Sequence, residues 1–224
     1  MRSKRISYER IIEFLAHLDQ HRPVPRRALL FDAIRKLASS FTEEAETRLK
    51  DLLLEILPPL SWARPPGAVE DVEFFLLCKG REGCTACVDA CESASGGRVI
   101  KFIEESDSLW QFTPYLDPNL DPCMLCEGFP CATACPTGAL SQPPSAIAVS
   151  FGRAVVNIEN CSASVAEPCR ACVDACPSGI SALTVARNGF IAVSAYLCVG
   201  CGLCVKACPQ DPKGIYVIFR GSQK

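Results

Sequence analysis

Apolar residues recur at helical spacing in the first part of the chain: Ile11, Ile12, Leu15 and Leu18, then Leu29, Leu30, Ile34 and Leu37. Two amphipathic helices are predicted, separated at His21-Arg-Pro23-Val-Pro25, where the prolines break the backbone ladder. Ser40-Phe-Thr-Glu43 has the form of a capping box and predicts a third helix ending near Leu57, before Pro58-Pro59. Residues 1–60 therefore read as a cysteine-free helical segment, small for independent stability and expected to dock on a partner. Residues 61–77 follow as a linker and lead-in. Ser61-Trp-Ala-Arg64-Pro65-Pro66-Gly67-Ala68 is the linker, and Val69 to Leu77 is a short helix delivering Cys78.

Beyond it the periodicity changes. The stretch from Val99 to Leu120 carries Trp110, Phe112 and Tyr115, aromatics expected to shield a buried centre from water rather than bind a substrate. Ala146 to Ile158 has a β-rich run on each side of Gly152 and predicts a hairpin. Ile180 to Val193 predicts a second hairpin turning at Asn188-Gly189, and Ile215 to Phe219 a closing strand.

Cysteine decides what these short elements are built on. The sixteen cysteines fall into four runs of four with none left over. The last run, Cys198-x2-Cys201-x2-Cys204-x3-Cys208-Pro209, has the spacing by which bacterial ferredoxins hold [4Fe–4S] clusters. The others are variants: Cys78-x5-Cys84-x2-Cys87-x3-Cys91, Cys123-x2-Cys126-x4-Cys131-x3-Cys135-Pro136, and Cys161-x7-Cys169-x2-Cys172-x3-Cys176-Pro177. The C-x3-C ends recur every 32 to 44 residues, the mark of a repeated unit. Four [4Fe–4S] clusters are expected, with residues 78–220 forming a polyferredoxin domain. The fold class follows as α+β: tandem bacterial-ferredoxin-like modules, two clusters in each, with an N-terminal helical segment. So little apolar core is available per cluster that metal binding and folding should be coupled, leaving the metal-free chain beyond residue 68 largely unfolded.

Other uses of the cysteines fit less well. Disulfides suit a secreted scaffold, and no signal peptide is evident. Zinc sites gather two separated C-x2-C pairs, whereas here each foursome is crowded into one short run. Radical S-adenosylmethionine chemistry wants C-x3-C-x2-C, a spacing that does not occur.

The formal charge of −2 offers no basic surface for nucleic acid. Four oxidised clusters with their thiolates would add about −8, so a docking partner is expected to present Lys or Arg. His17 and His21 stand four apart, but Leu18 occupies the place where a zinc protease needs Glu, so they read as solvated or capping residues. Arg26-Arg27-Ala-Leu-Leu-Phe31 has the look of a twin-arginine export motif. Asp32, Arg35, Lys36, Glu43 and Glu44 interrupt the apolar run that export requires, and the expected location is cytoplasmic. No transmembrane span is expected, since no stretch approaches eighteen apolar residues.

Arg64-Pro-Pro-Gly-Ala68, the run Pro122-Cys-Met-Leu-Cys-Glu-Gly-Phe-Pro-Cys-Ala-Thr-Ala-Cys-Pro-Thr-Gly-Ala-Leu140 and the two final cysteine runs resemble the NapG/MauM-type ferredoxins over residues 64–220. The resemblance implies four [4Fe–4S] clusters and electron exchange with a redox enzyme or a quinol-oxidising partner. It also implies a nested ligand scheme, first run with fourth and second with third. In that scheme Cys78, Cys84, Cys87 and Cys208 hold one cluster, and Cys198, Cys201, Cys204 and Cys91 another. Cys123, Cys126, Cys131 and Cys176 hold a third, and Cys161, Cys169, Cys172 and Cys135 the fourth. Pairing of neighbouring runs is the alternative. The chain departs from the family in three places: the insertion Lys79-Gly-Arg-Glu-Gly83, Glu92 in place of a proline, and the cysteine-free helical segment in place of an export signal.

Two functions are compatible with this reading. One is an electron-transfer subunit of an oxidoreductase complex, not itself an enzyme, with no nucleotide-phosphate motif and no substrate of its own. The other is an iron–sulfur carrier or a catalytic reductase component, with a labile cluster or a site in residues 99–120.

Overall fold

The structure is a computed structural model that describes residues 62–104, 110–164, 169–177 and 180–219. The helices expected within residues 1–60, with His17, His21 and Arg26-Arg27, lie outside the described residues. Among the described residues, Glu70–Cys78 belongs to one compact unit, and 62–69 with 79–219 to a second.

In the first unit the lead-in helix forms as expected, as α1 over Asp71–Leu77. Asp71 and Glu73 occupy its first turn, where negative charge meets the positive end of the helix dipole. Val72, Phe74 and Phe75 are buried, and the Cys78 N–H donates to the Phe74 carbonyl at 2.8 Å as the chain leaves the helix extended.

The second unit opens with the residues expected as a linker, and they are tied down on both sides. Ala63 exchanges backbone hydrogen bonds with Leu116 (3.0 and 2.9 Å), while Val69 donates to Ala139 and Ser141 donates to Gly67. Pro65 and Pro66 are buried. The Arg64 guanidinium lies 4.5 Å from the Trp110 ring centre, and its Nη1 donates to Thr113 Oγ1 (2.9 Å) and the Pro114 carbonyl (3.0 Å).

The insertion after Cys78 makes a single 3-10 turn, Gly80–Glu82, and α2 follows over Ala86–Ser95. Gly96 ends α2 in the left-handed conformation, φ 73°. Strand β1 (Lys101–Phe102) pairs antiparallel with β2 (Pro114–Tyr115), and α3 spans Pro130–Thr133 with a proline in its first turn. The expected shielding aromatics separate: Trp110 is buried under Arg64, Tyr115 packs on Trp62 with ring centres 5.1 Å apart, and Phe112 is exposed.

The first expected hairpin does not form. Ala146–Ala148 is a single 3-10 turn with Ile147 exposed, and β3 (Gly152–Val156) pairs antiparallel with β6 (Ile215–Phe219), from Gly152 opposite Phe219 to Val156 opposite Ile215. The closing strand supplies longer, continuous pairing, which the short Ala-Ile-Ala-Val run after Pro143-Pro144 could not match. The second hairpin forms as expected: β4 (Leu183–Val185) pairs with β5 (Ile191–Val193), and Gly189 turns with φ 81°. Between these elements lie α4 (Ala171–Asp174) and α5 (Leu203–Ala207).

Packing follows chain order. Helix α2 packs on α3, and α4 on α5, with β6 against α5. Ile100, Ile103, Leu116 and Ile215 are the large aliphatic side chains almost wholly removed from water. None of the helices in the described residues is long and apolar enough to cross a membrane.

Candidate metal centres

None of the sixteen cysteines is joined in a disulfide, and each run straddles the entry to a short helix. Cys87 and Cys91 lie on α2, Cys131 on α3, Cys172 on α4 and Cys204 on α5, with their run-mates in the loops around them. The short turns let neighbouring sulfurs face one space. Left-handed residues make that reversal possible in the second and fourth runs: Leu125 (φ 52°) and Phe129 (φ 48°), and Gly200 (φ 73°) and Gly202 (φ 86°). A side chain at Gly202 would collide with the Pro118 carbonyl, so that position admits only glycine.

Electrostatics show which thiols lie within reach of one another. Burial pushes the Cys123 thiol up to about 12, and the charges of Cys131, Cys201 and Cys91 push the same way against a Leu125 backbone hydrogen bond. Burial and then Cys91 raise Cys131 to about 11, and the same two causes push Cys126 upward. Cys91 thus stands with Cys123, Cys126 and Cys131. In the fourth run, burial raises Cys204 to about 12, with Cys201, Cys198 and Cys172 adding to it. Cys201 is raised by burial and by Cys198 and Cys176. Cys172 reaches about 11 through burial and the charges of Cys161 and Cys169, and these three line one cavity together with Cys208. Val156, Ile191 and Ile215 give that cavity an apolar wall.

In the folded chain Cys91 lies within electrostatic reach of the second run, Cys176 within reach of Cys201, and Cys208 lines one cavity with the third run. Helix α2 meets α3 and α4 meets α5, which brings the first run beside the second and the third beside the fourth.

A feature that spacing did not reveal is a set of donors to sulfur. Cys135 Sγ accepts the Leu140 N–H at 3.4 Å and lies 3.6 Å from the Thr137 hydroxyl. Burial pushes the Cys135 thiol up, but these donors outweigh it and hold the thiol below its ordinary value. Cys176 accepts from Ala182 (3.3 Å), Cys208 from Gly214 (3.4 Å) and Cys198 from Ala154 (3.3 Å). The signal for three of these was present as Cys-Pro: the proline ends the helical turn, and the chain curls back to present an amide five or six residues later.

The residues fit an iron–sulfur core. Crowded, buried thiols repel their own anionic forms, and a cationic core with amide donors to sulfur relieves that repulsion. Among the described residues no three His, Cys, Asp or Glu side chains stand close enough to share one ion, a tighter arrangement than four thiolates around a four-iron cluster.

Comparison with known proteins agrees. A profile of the 4Fe-4S dicluster domain matches residues 166–212. The methylamine utilization ferredoxin-type protein MauM of Paracoccus denitrificans is 35% identical, over 70% of this chain and 71% of that protein. The chain belongs to the MauM and NapG family of ferredoxin-type proteins. The ferredoxin-type protein NapG of Escherichia coli K12 is 34% identical over 69% of each chain. The polyferredoxin-like subunit of an aliphatic sulfonate oxidoreductase from Pyrococcus furiosus is 30% identical, over 63% of this chain and 74% of that protein. No solved structure matches. Like its family, the chain is a ferredoxin-type electron-transfer protein with [4Fe–4S] clusters.

Proposed function

We propose that the chain relays electrons through four [4Fe–4S] clusters, two in each of two tandem modules, between a redox enzyme and its donor or acceptor. One module pairs the first run with the second and the other pairs the third with the fourth. The ligand sets are Cys91 with Cys123, Cys126 and Cys131; Cys176 with Cys198, Cys201 and Cys204; and Cys208 with Cys161, Cys169 and Cys172. A count of thiols alone leaves Cys78, Cys84, Cys87 and Cys135 for the fourth. Four thiolates around each core leave no iron open to a substrate, which favours a relay over an enzyme.

The observation that carries this reading is Cys91, whose charge is felt by the three thiols of the following run. Iron and acid-labile sulfide on anaerobically purified full-length protein test it: about sixteen of each per chain are expected. Eight of each, or zinc in their place, would overturn it. Deleting residues 1–60 tests their proposed role in docking, since loss of a co-purifying redox subunit is expected and an undiminished complex would refute it. The charged residues after Arg26-Arg27 support a cytoplasmic location, checked by cell fractionation.

A further inference from the structure

The four run-ending cysteines are not equivalent. Cys135, Cys176 and Cys208 each precede a proline, and each sulfur accepts an N–H from the loop that follows: Leu140 at 3.4 Å, Ala182 at 3.3 Å and Gly214 at 3.4 Å. Cys91 precedes Glu92, and α2 runs on through it to Ser95. With the helix unbroken, the following amides are committed to helical carbonyls, and Gly96 donates to Glu92 at 3.1 Å.

The nearest polar partner of Cys91 Sγ is the Ser95 hydroxyl at 3.9 Å. That hydroxyl has one proton and already lies 2.8 Å from both the Cys91 and the Gly97 carbonyl oxygens, which are stronger acceptors than sulfur. Among the described residues, then, no amide donates to Cys91 Sγ.

We propose that the cluster held by Cys91, Cys123, Cys126 and Cys131 is the hardest of the four to reduce. This rests on the four-cluster reading above and deepens it by ordering the relay. A hop oxidises one cluster core from +1 to +2 and reduces the next from +2 to +1. With its four thiolates the receiving cluster goes from about −2 to about −3. Donors to sulfur stabilise the more negative state and raise the potential, and here the donor found at the other three run ends is missing.

Burial does not separate this cluster from its neighbour, since Cys201 and Cys204 are as buried as Cys123 and Cys131. The charge of Cys201 on Cys123 acts on both sets alike, so the missing donor carries the order. The acidic Glu92 is exposed and ion-paired to Arg98 at 3.3 Å, so its own contribution is screened. Electrons entering from the first-run end therefore cross this cluster as an uphill step and do not rest on it.

Anaerobic full-length holoprotein, titrated with dithionite and followed by electron paramagnetic resonance, tests the order. One cluster is expected to reduce in a separate step below the other three, and Cys91→Ser is expected to move that lowest step alone. Glu92→Pro, which supplies the helix stop of the other runs, is expected to shift it upward. Four clusters titrating together, or Cys91→Ser moving a higher step, would overturn the proposal. Iron and sulfide are counted on every sample. About sixteen of each with the wrong order defeats the ordering alone, whereas about eight defeats the four-cluster reading and the ordering with it.

Discussion

The Cys123 N–H donates to the carbonyl oxygen of Cys201 at 2.8 Å, joining the second cysteine run to the fourth. The bond fixes two thiols of different sets within electrostatic reach of one another. Fully reduced protein should therefore show a broadened resonance spectrum from spin–spin coupling between neighbouring clusters. A plain sum of sharp, independent signals would contradict the adjacency.

Thr137 bears on one cluster only. Its hydroxyl lies 3.6 Å from Cys135 Sγ, and removing it in Thr137→Val withdraws a donor from that sulfur. The midpoint potential of one cluster should fall while the rest stay in place, and Thr137→Ser should restore it. A potentiometric titration of the three proteins side by side checks this.

Asn119 acts as a surrogate strand partner. Its Nδ2 donates to the Val217 carbonyl at 3.0 Å, and its Oδ1 accepts the Val217 N–H at 2.7 Å, pinning the loop after Leu116 to β6. Asn119→Ala should lower stability by about 1–3 kcal/mol, the cost of leaving such groups unpaired. Asn119→Asp keeps the acceptor and loses the donor, so it should fall between the two in anaerobic urea melts.

Gly202 is held at φ 86° with the Pro118 carbonyl where a side chain would sit. In Gly202→Ala the left-handed backbone alone costs about 1–3 kcal/mol, and the collision adds to it. Because Cys201 and Cys204 flank this position, lower cluster content in the purified variant should accompany the loss of thermal stability.

Removing iron by chelation under reducing, anaerobic conditions should abolish most of the ordered secondary structure of the cysteine region. Several of its helices have only four or five residues, and its sheets only two strands, too little to persist without the centres they surround. Circular dichroism before and after chelation is the measurement, and a spectrum left unchanged would show the fold to be independent of metal.

The thiols and their cofactor were legible along the chain because ligation by a cluster is a local demand, written as spacings of two and three residues. The Asn188-Gly189 hairpin was legible for the same reason, since the turn itself needs that dipeptide's backbone. The partner of β3 was not. A β-rich run on each side of Gly152 has the right alternation for a hairpin, yet pairing went to residues 59 to 67 positions away. That Cys91 comes within reach of the second run and Cys208 of the third depends on which helices meet, so spacing left nested and neighbouring pairing both open. The Ala154 amide on Cys198 joins residues 44 apart with no shared motif.

Spacing and side-chain chemistry along the chain were enough to mark the cluster type and the four crowded runs of thiols, since short stretches of backbone set those distances. Which thiols of different runs come within reach of one another, and that the Ala154 amide falls on Cys198, came from the folded molecule alone. Those contacts arise when α2 packs on α3 and α4 on α5, and when β6 returns to β3, and long-range packing of this kind leaves no periodic trace in the order of residues.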